Sequence, residues 1–99
     1  TAVIADVYLT NADKTVFASF AVAADIYLPS GTIAGLGKSF EINNSGTADC
    51  TVKSVNGTVM GADAATGKVL KSNDFIVVKS DGTNWCAFGA QITPPTTTP

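Results

Sequence analysis

The side chains of this 99-residue chain that could do chemistry are eight carboxylates, six lysines and two cysteines. Histidine is absent, which excludes imidazole acid–base catalysis and imidazole metal ligation. Every basic residue is a lysine, so no guanidinium can clamp a phosphate or a carboxylate. The lysines are scattered and outnumbered by acids, which argues against nucleic acid as a partner. Cys50 and Cys86 form no Cys-x-x-Cys pair. Two thiolates without an imidazole make a poor zinc site and lack a base to activate them. A Cys50–Cys86 bridge is open to a secreted chain. In a chain made in a cytosol both stay free, and the apolar strand patterns around them favour buried free thiols.

The acids do not cluster. Asp13, Asp63, Asp74 and Asp81 stand at turns, where a carboxylate commonly accepts from nearby backbone. No Asp-x-Asx-x-Asx loop offers a calcium site, and no Gly-x-Ser-x-Gly elbow offers a nucleophile. A glycosidase pair would have to assemble from distant segments of a chain with little room for a cleft. The run Gly31–Ser39, Gly-Thr-Ile-Ala-Gly-Leu-Gly-Lys-Ser, comes nearest to a phosphate loop. It lacks the glycine five residues before Gly37-Lys38, where Thr32 stands, and a strand follows where a helix should aim its dipole. Neither catalysis nor a metal or other cofactor is expected.

The elements that would position these residues are short strands. Val3–Thr10, Thr15–Phe20, Asp25–Leu28, Ser39–Asn43, Asp49–Val55, Thr58–Met60, Lys68–Leu70, Phe75–Ser80 and Asn84–Ile92 read as strands separated by turns. Asn56-Gly57 predicts a two-residue type I′ hairpin, and Asp81-Gly82 a second hairpin. Gly61–Gly67 lacks a helical apolar stripe and reads as a loop. The prediction is an all-β fold: a small antiparallel sandwich or barrel of about eight strands over residues 1–92. Residues 93–99, Thr-Pro-Pro-Thr-Thr-Thr-Pro, read as an extended tail. Trp85 alternates with Cys86, so only one of them can face a single core. Trp85 is expected in the core or at a subunit interface, with a saccharide-stacking platform as the alternative. Asn43 and Asn56 begin glycosylation sequons that turn chemistry explains equally well.

Composition adds a constraint on partners. Hydrophobic residues make up 45% and charged residues 14%, against roughly 25% charged in an average domain. A small domain cannot bury all of that apolar surface alone, which predicts self-association or docking onto something larger. No apolar run reaches the ~20 residues of a membrane helix, and the N-terminus lacks the basic region of a signal peptide.

Residues 24–90 resemble a recurring module of bacteriophage virion proteins found in tail fibres and other appendages. The resemblance rests on Ile26-Tyr27-Leu28-Pro29, on Gly37-Lys38-Ser39-Phe40-Glu41-Ile42-Asn43, and on Thr51-Val52 with Asn56-Gly57. Its most specific part is Val77-Val78-Lys79-Ser80-Asp81-Gly82-Thr83-Asn84-Trp85. Cys86 departs from it where the module often has an aromatic residue, and residues before 24 lie outside it. The resemblance implies a β-rich, typically trimeric, non-enzymatic virion module, made in the host cytoplasm. In it, Pro29, Gly37, Lys38, Phe40, Asn56, Gly57, Asp81, Gly82, Asn84 and Trp85 serve as turn and core residues. A capsid decoration or cement protein binding the major capsid protein is the expected function. The alternative is a tail- or head-fibre domain on a fibre shaft, touching a cell-surface glycan through Trp85 or the 61–67 loop.

Overall fold

The computed structural model describes residues 2–3, 6–10, 13–63 and 65–92. The expected tail at 93–99 lies outside them. The fold is all-β, in two sheets. The strands are β1 (Ala2–Val3), β2 (Val7–Tyr8), β3 (Thr15–Ala18), β4 (Ala24–Leu28), β5 (Ser39–Asn44), β6 (Cys50–Ser54), β7 (Lys68–Leu70), β8 (Phe75–Ser80) and β9 (Trp85–Gln91). The larger sheet runs β1-β3-β5-β8-β9 and the smaller β2-β4-β6-β7.

The sheets are not antiparallel throughout, contrary to the sequence expectation. The first six strands alternate between the two sheets, so each pairs in parallel with the strand two places on: β1 with β3, β3 with β5, β2 with β4 and β4 with β6. Parallel neighbours need a crossover connection; here the crossover is a strand of the opposite sheet. The chain makes three turns of a flattened coil. The remaining pairings, β5–β8, β6–β7 and β8–β9, are antiparallel.

Two local expectations change with this topology. Val3–Thr10 is not one strand: β1 and β2 belong to different sheets. Asn56-Gly57 does not close a two-residue hairpin, because β6 pairs with β7 across residues 55–67. Thr58–Met60 contributes only bridges from Val59 to Ala62 and Trp85. Gly57 has φ of 83°, but Asn56 is not among the residues with positive φ, and a type I′ turn needs both. Asp81-Gly82 does sit in a hairpin: Ser80 pairs with Trp85 around a four-residue loop. In the glycine-rich run, residues 31–34 form one helical turn, α1 (Gly31–Ala34), which ends at Gly35 with φ of 89°.

Side chains alternate as the strand period requires. Val16, Ala18, Phe40, Ile42, Ile76, Val78 and Trp85 of one sheet meet Ile26, Leu28, Cys50, Val52 and Leu70 of the other. Leu9, Phe20 and Val59 complete the core from loops. Each large apolar side chain buried this way contributes roughly 1.5–3 kcal/mol. Buried Asn44 ties the sheets together with hydrogen bonds. Its Nδ2 donates to the carbonyls of Ala48 at 2.9 Å and of Leu70 in β7 at 2.8 Å, and its Oδ1 accepts from the Gly46 amide.

Candidate functional site

The residues singled out in the sequence converge on Trp85. Its indole is 1% exposed, sits edge-on to Phe40 with ring centroids 5.2 Å apart, and donates from Nε1 to the Pro29 carbonyl at 3.0 Å. The Ser80 amide donates to the Lys38 carbonyl and the Gly37 amide to the Ser80 carbonyl, both at 2.8 Å. Lys38 places its ammonium 4.9 Å over Phe40 and donates to the Asp13 carbonyl. Asn84 Oδ1 accepts from the Thr58 amide, and Gly82 donates to Ser80 Oγ. Asn56 Oδ1 accepts from the Gly57 amide at 2.9 Å. Gly31 and Gly57 come from separate loops, yet a Cβ on either would collide with the Thr83 carbonyl.

All ten residues therefore belong to one packing hub that joins the 81–84 hairpin loop to α1 and the 55–58 turn. Trp85 is buried there and offers no ring face to a ligand. The glycine-rich run is structural as well, since its lysine is engaged with Phe40 and Asp13.

Charge at the hub is held in place by backbone. Asp81 Oδ1 accepts from the amides of Thr83 at 2.9 Å and Asn84 at 2.7 Å. Those bonds, Asn84 foremost, hold its carboxyl below the usual carboxylate range. The Cys86 thiol donates to Asp81 Oδ2 at 3.7 Å, and desolvation followed by that neighbouring carboxylate raises its pKa. Cys86 is only half-buried, which corrects the expectation of two buried thiols. Cys50 is fully buried, and both are free. Burial pushes the Cys50 thiol up to about 12, with Asp25 adding to the effect. Neither is an activated nucleophile. Among the described residues, no three sulfur or carboxylate ligands gather to hold a metal ion.

What remains open to a partner lies on the outer faces. The five-stranded sheet has one strand more than its four-stranded neighbour, and β9 is its edge strand. Ala87 and Ala90 pair with inward-facing Val78 and Ile76, yet both are exposed, and among the described strands none beyond β8 pairs with β9. The Val59 segment covers the free edge of β9 only at Trp85. Past it, a register shift opposite Val77/Val78 leaves Phe88 as an extra residue, 64% exposed and 4.7 Å under the Lys79 ammonium. Leu36, Lys79, Cys86 and Phe88 line a shallow cleft of about 340 Å³ beside it. Phe17 and Phe75 also stand exposed on the outer face of this sheet. Sequence reasoning named Cys86 as a thiol and Lys79 within a motif, and placed none of these residues on a shared surface; the low charge content was its only signal of that face.

No family model, curated protein or solved structure matches the chain.

Proposed function

We propose that this chain is a non-enzymatic structural protein of a bacteriophage particle. It associates as a homotrimer and decorates the capsid, stabilising the assembled shell by bridging capsid subunits. The observation that carries this reading is the β9 edge, which no described strand pairs with past Trp85, together with Phe88 and the neighbouring apolar cleft. An open strand edge flanked by exposed aromatics invites pairing with another chain, and soluble proteins seldom leave one uncovered. A copy or capsid segment adding a strand at β9 would cover Ala87, Ala90 and Phe88 together. Binding only the assembled lattice favours that lattice by mass action. The sequence resemblance to virion modules supports the same reading, and the residues on which it rests lie in the hub from which β9 starts.

Light scattering at micromolar concentration tests the assembly. Three copies of the 10.1 kDa chain give about 30 kDa; a monomer overturns the trimer. Sedimentation with undecorated capsids tests the function, with co-sedimentation expected. A trimer that fails to co-sediment overturns the decoration reading in favour of a fibre domain.

A further inference from the structure

An asparagine can modify itself when the backbone nitrogen that follows it attacks its side-chain carboxamide. The reaction needs that nitrogen aimed at the asparagine Cγ. The described asparagines are Asn43, Asn44, Asn56, Asn73 and Asn84, and behind four of them the following amide is engaged elsewhere. The Asn44 amide donates to the Asp74 carbonyl at 2.9 Å and the Ser45 amide to the Ala18 carbonyl at 2.8 Å. The Asp74 amide donates to the Lys71 carbonyl at 3.0 Å and the Trp85 amide to the Thr58 carbonyl at 2.8 Å. The carboxamides of Asn44 and Asn84 are themselves tied to backbone.

Asn56 is arranged differently. The Gly57 amide donates to Asn56 Oδ1 at 2.9 Å, so among the described asparagines this is the one whose following amide turns back to it. When that amide loses its proton, the lone pair left behind points where the N–H pointed, at the carboxamide. Glycine at 57 puts no Cβ in the path. Asn56 is exposed, which gives hydroxide and water access. Ser54 holds the turn: its Oγ donates to the Asn56 carbonyl at 2.6 Å and accepts from the Asn56 amide at 3.3 Å. Asp81-Gly82 is an internal contrast. An aspartate before glycine can close the same ring, but here the Gly82 amide donates to Ser80 Oγ.

We propose that Asn56 is a self-modification site of the folded protein, and that its modification loosens the hub around Trp85. Hydroxide removes the Gly57 amide proton, and the nitrogen bonds to Asn56 Cγ. The Cγ–Nδ2 bond breaks, and Nδ2 leaves as ammonia with a proton from water. Water then opens the succinimide at either carbonyl, leaving aspartate or isoaspartate at position 56. Isoaspartate routes the main chain through the side-chain methylene and so lengthens it. The hub has no slack for that methylene. A Cβ on Gly57 would already collide with the Thr83 carbonyl, and the next amide, of Thr58, is held by Asn84 Oδ1. The inference does not depend on the particle reading.

The test is incubation of the full chain at pH 8 and 37 °C, followed by tryptic digestion and mass spectrometry. Peptide 54–68 carries Asn56 as its sole asparagine. It should gain the mass difference between amide and acid before any other asparagine-bearing peptide, and an isoaspartyl methyltransferase should label it. If the fold aims the nitrogen as described, the native chain should react within about tenfold of the rate of the same chain unfolded in urea, since misplacement by an ångström costs about a hundredfold. A native rate lower than that, or a first gain in another peptide, overturns the proposal. Asn56→Gln, which would need a larger ring, should stop the gain and keep the near-UV signal of Trp85; a gain that persists in 54–68 overturns the assignment. Asn56→Asp carries the new charge without the longer main chain. The aged fraction, isolated by ion exchange, should melt below Asn56→Asp, and an aged fraction that melts with it overturns the loosening of the hub.

Discussion

Asp81 shows how a turn carboxylate in this chain acts on the fold. It accepts two backbone amides that would otherwise face water at the hairpin tip, and its depressed pKa records the preference for the charged form. A carboxyl depressed in the folded state stabilises above its unfolded pKa, about 3.9, and loses that contribution as pH falls through the lower folded value. Asp81→Ala should therefore melt below the wild type at neutral pH, and the gap should close as the melts are taken below about pH 4. The thiols behave in the opposite sense. With a Cys50 pKa of about 12, about one thiol in ten thousand is ionised at pH 8. Native alkylation at pH 8, read by mass spectrometry, should label Cys86 slowly and leave Cys50 untouched until the chain is unfolded. Because the folded pKa of Cys50 is raised, its contribution to stability is complete below the ordinary thiol value of 9.0 and is lost as pH climbs toward 12. Alkaline melts should fall in that window.

At the scale of elements, the strand positions were legible and their partners were not. Lys68–Leu70 and Phe75–Ser80 stand where the sequence places them, and Ser39–Asn43, Asp49–Val55 and Asn84–Ile92 differ by a residue or so at their ends. Alternation and turn residues are local signals, and they survive folding. Pairing is not local. The connections among the first six strands contain no Asn-Gly or Asp-Gly pair, and those connections cross to the opposite sheet. Asn56-Gly57 is a hairpin dipeptide used in another way. Glycine at 57 has positive φ and lets its backbone touch the Thr83 carbonyl. Gly57→Ala meets both a strained backbone and a backbone clash, and should cost about 2 kcal/mol or more in a denaturant titration. A well-behaved type I′ turn would have tolerated the change better. The hub explains the difference, because two loops and a hairpin meet on one carbonyl.

For the whole molecule, the two outer faces differ in character. One carries β9, Phe88, Phe75 and Phe17, largely apolar; the other carries the stacked Tyr8 and Tyr27 with Lys53, Asp25 and Asp6. The low charge content is concentrated in its consequences on the first of these. Phe88→Glu tests that difference. It places a charge where a partner strand would sit, and should convert the proposed trimer to monomers by light scattering. Intrachain stability should change by no more than about 0.5 kcal/mol, as for other exposed positions. A fully assembled Phe88→Glu protein would show that β9 is not the contact. The count of strands in the two sheets, five against four, is one that no local sequence signal could supply.

The sequence alone determined that the chain is all-β, that it lacks imidazole and guanidinium chemistry, and where most strands lie. These follow from residue types and from a two-residue period, and both are properties of neighbours along the chain. Only the tertiary structure decided that the sheets are mixed, that ten scattered motif residues form one hub, and that Trp85 is buried while Tyr8 is not. Each of these depends on which strand lies beside which. Burial of a given face is set by the layer that happens to cover it.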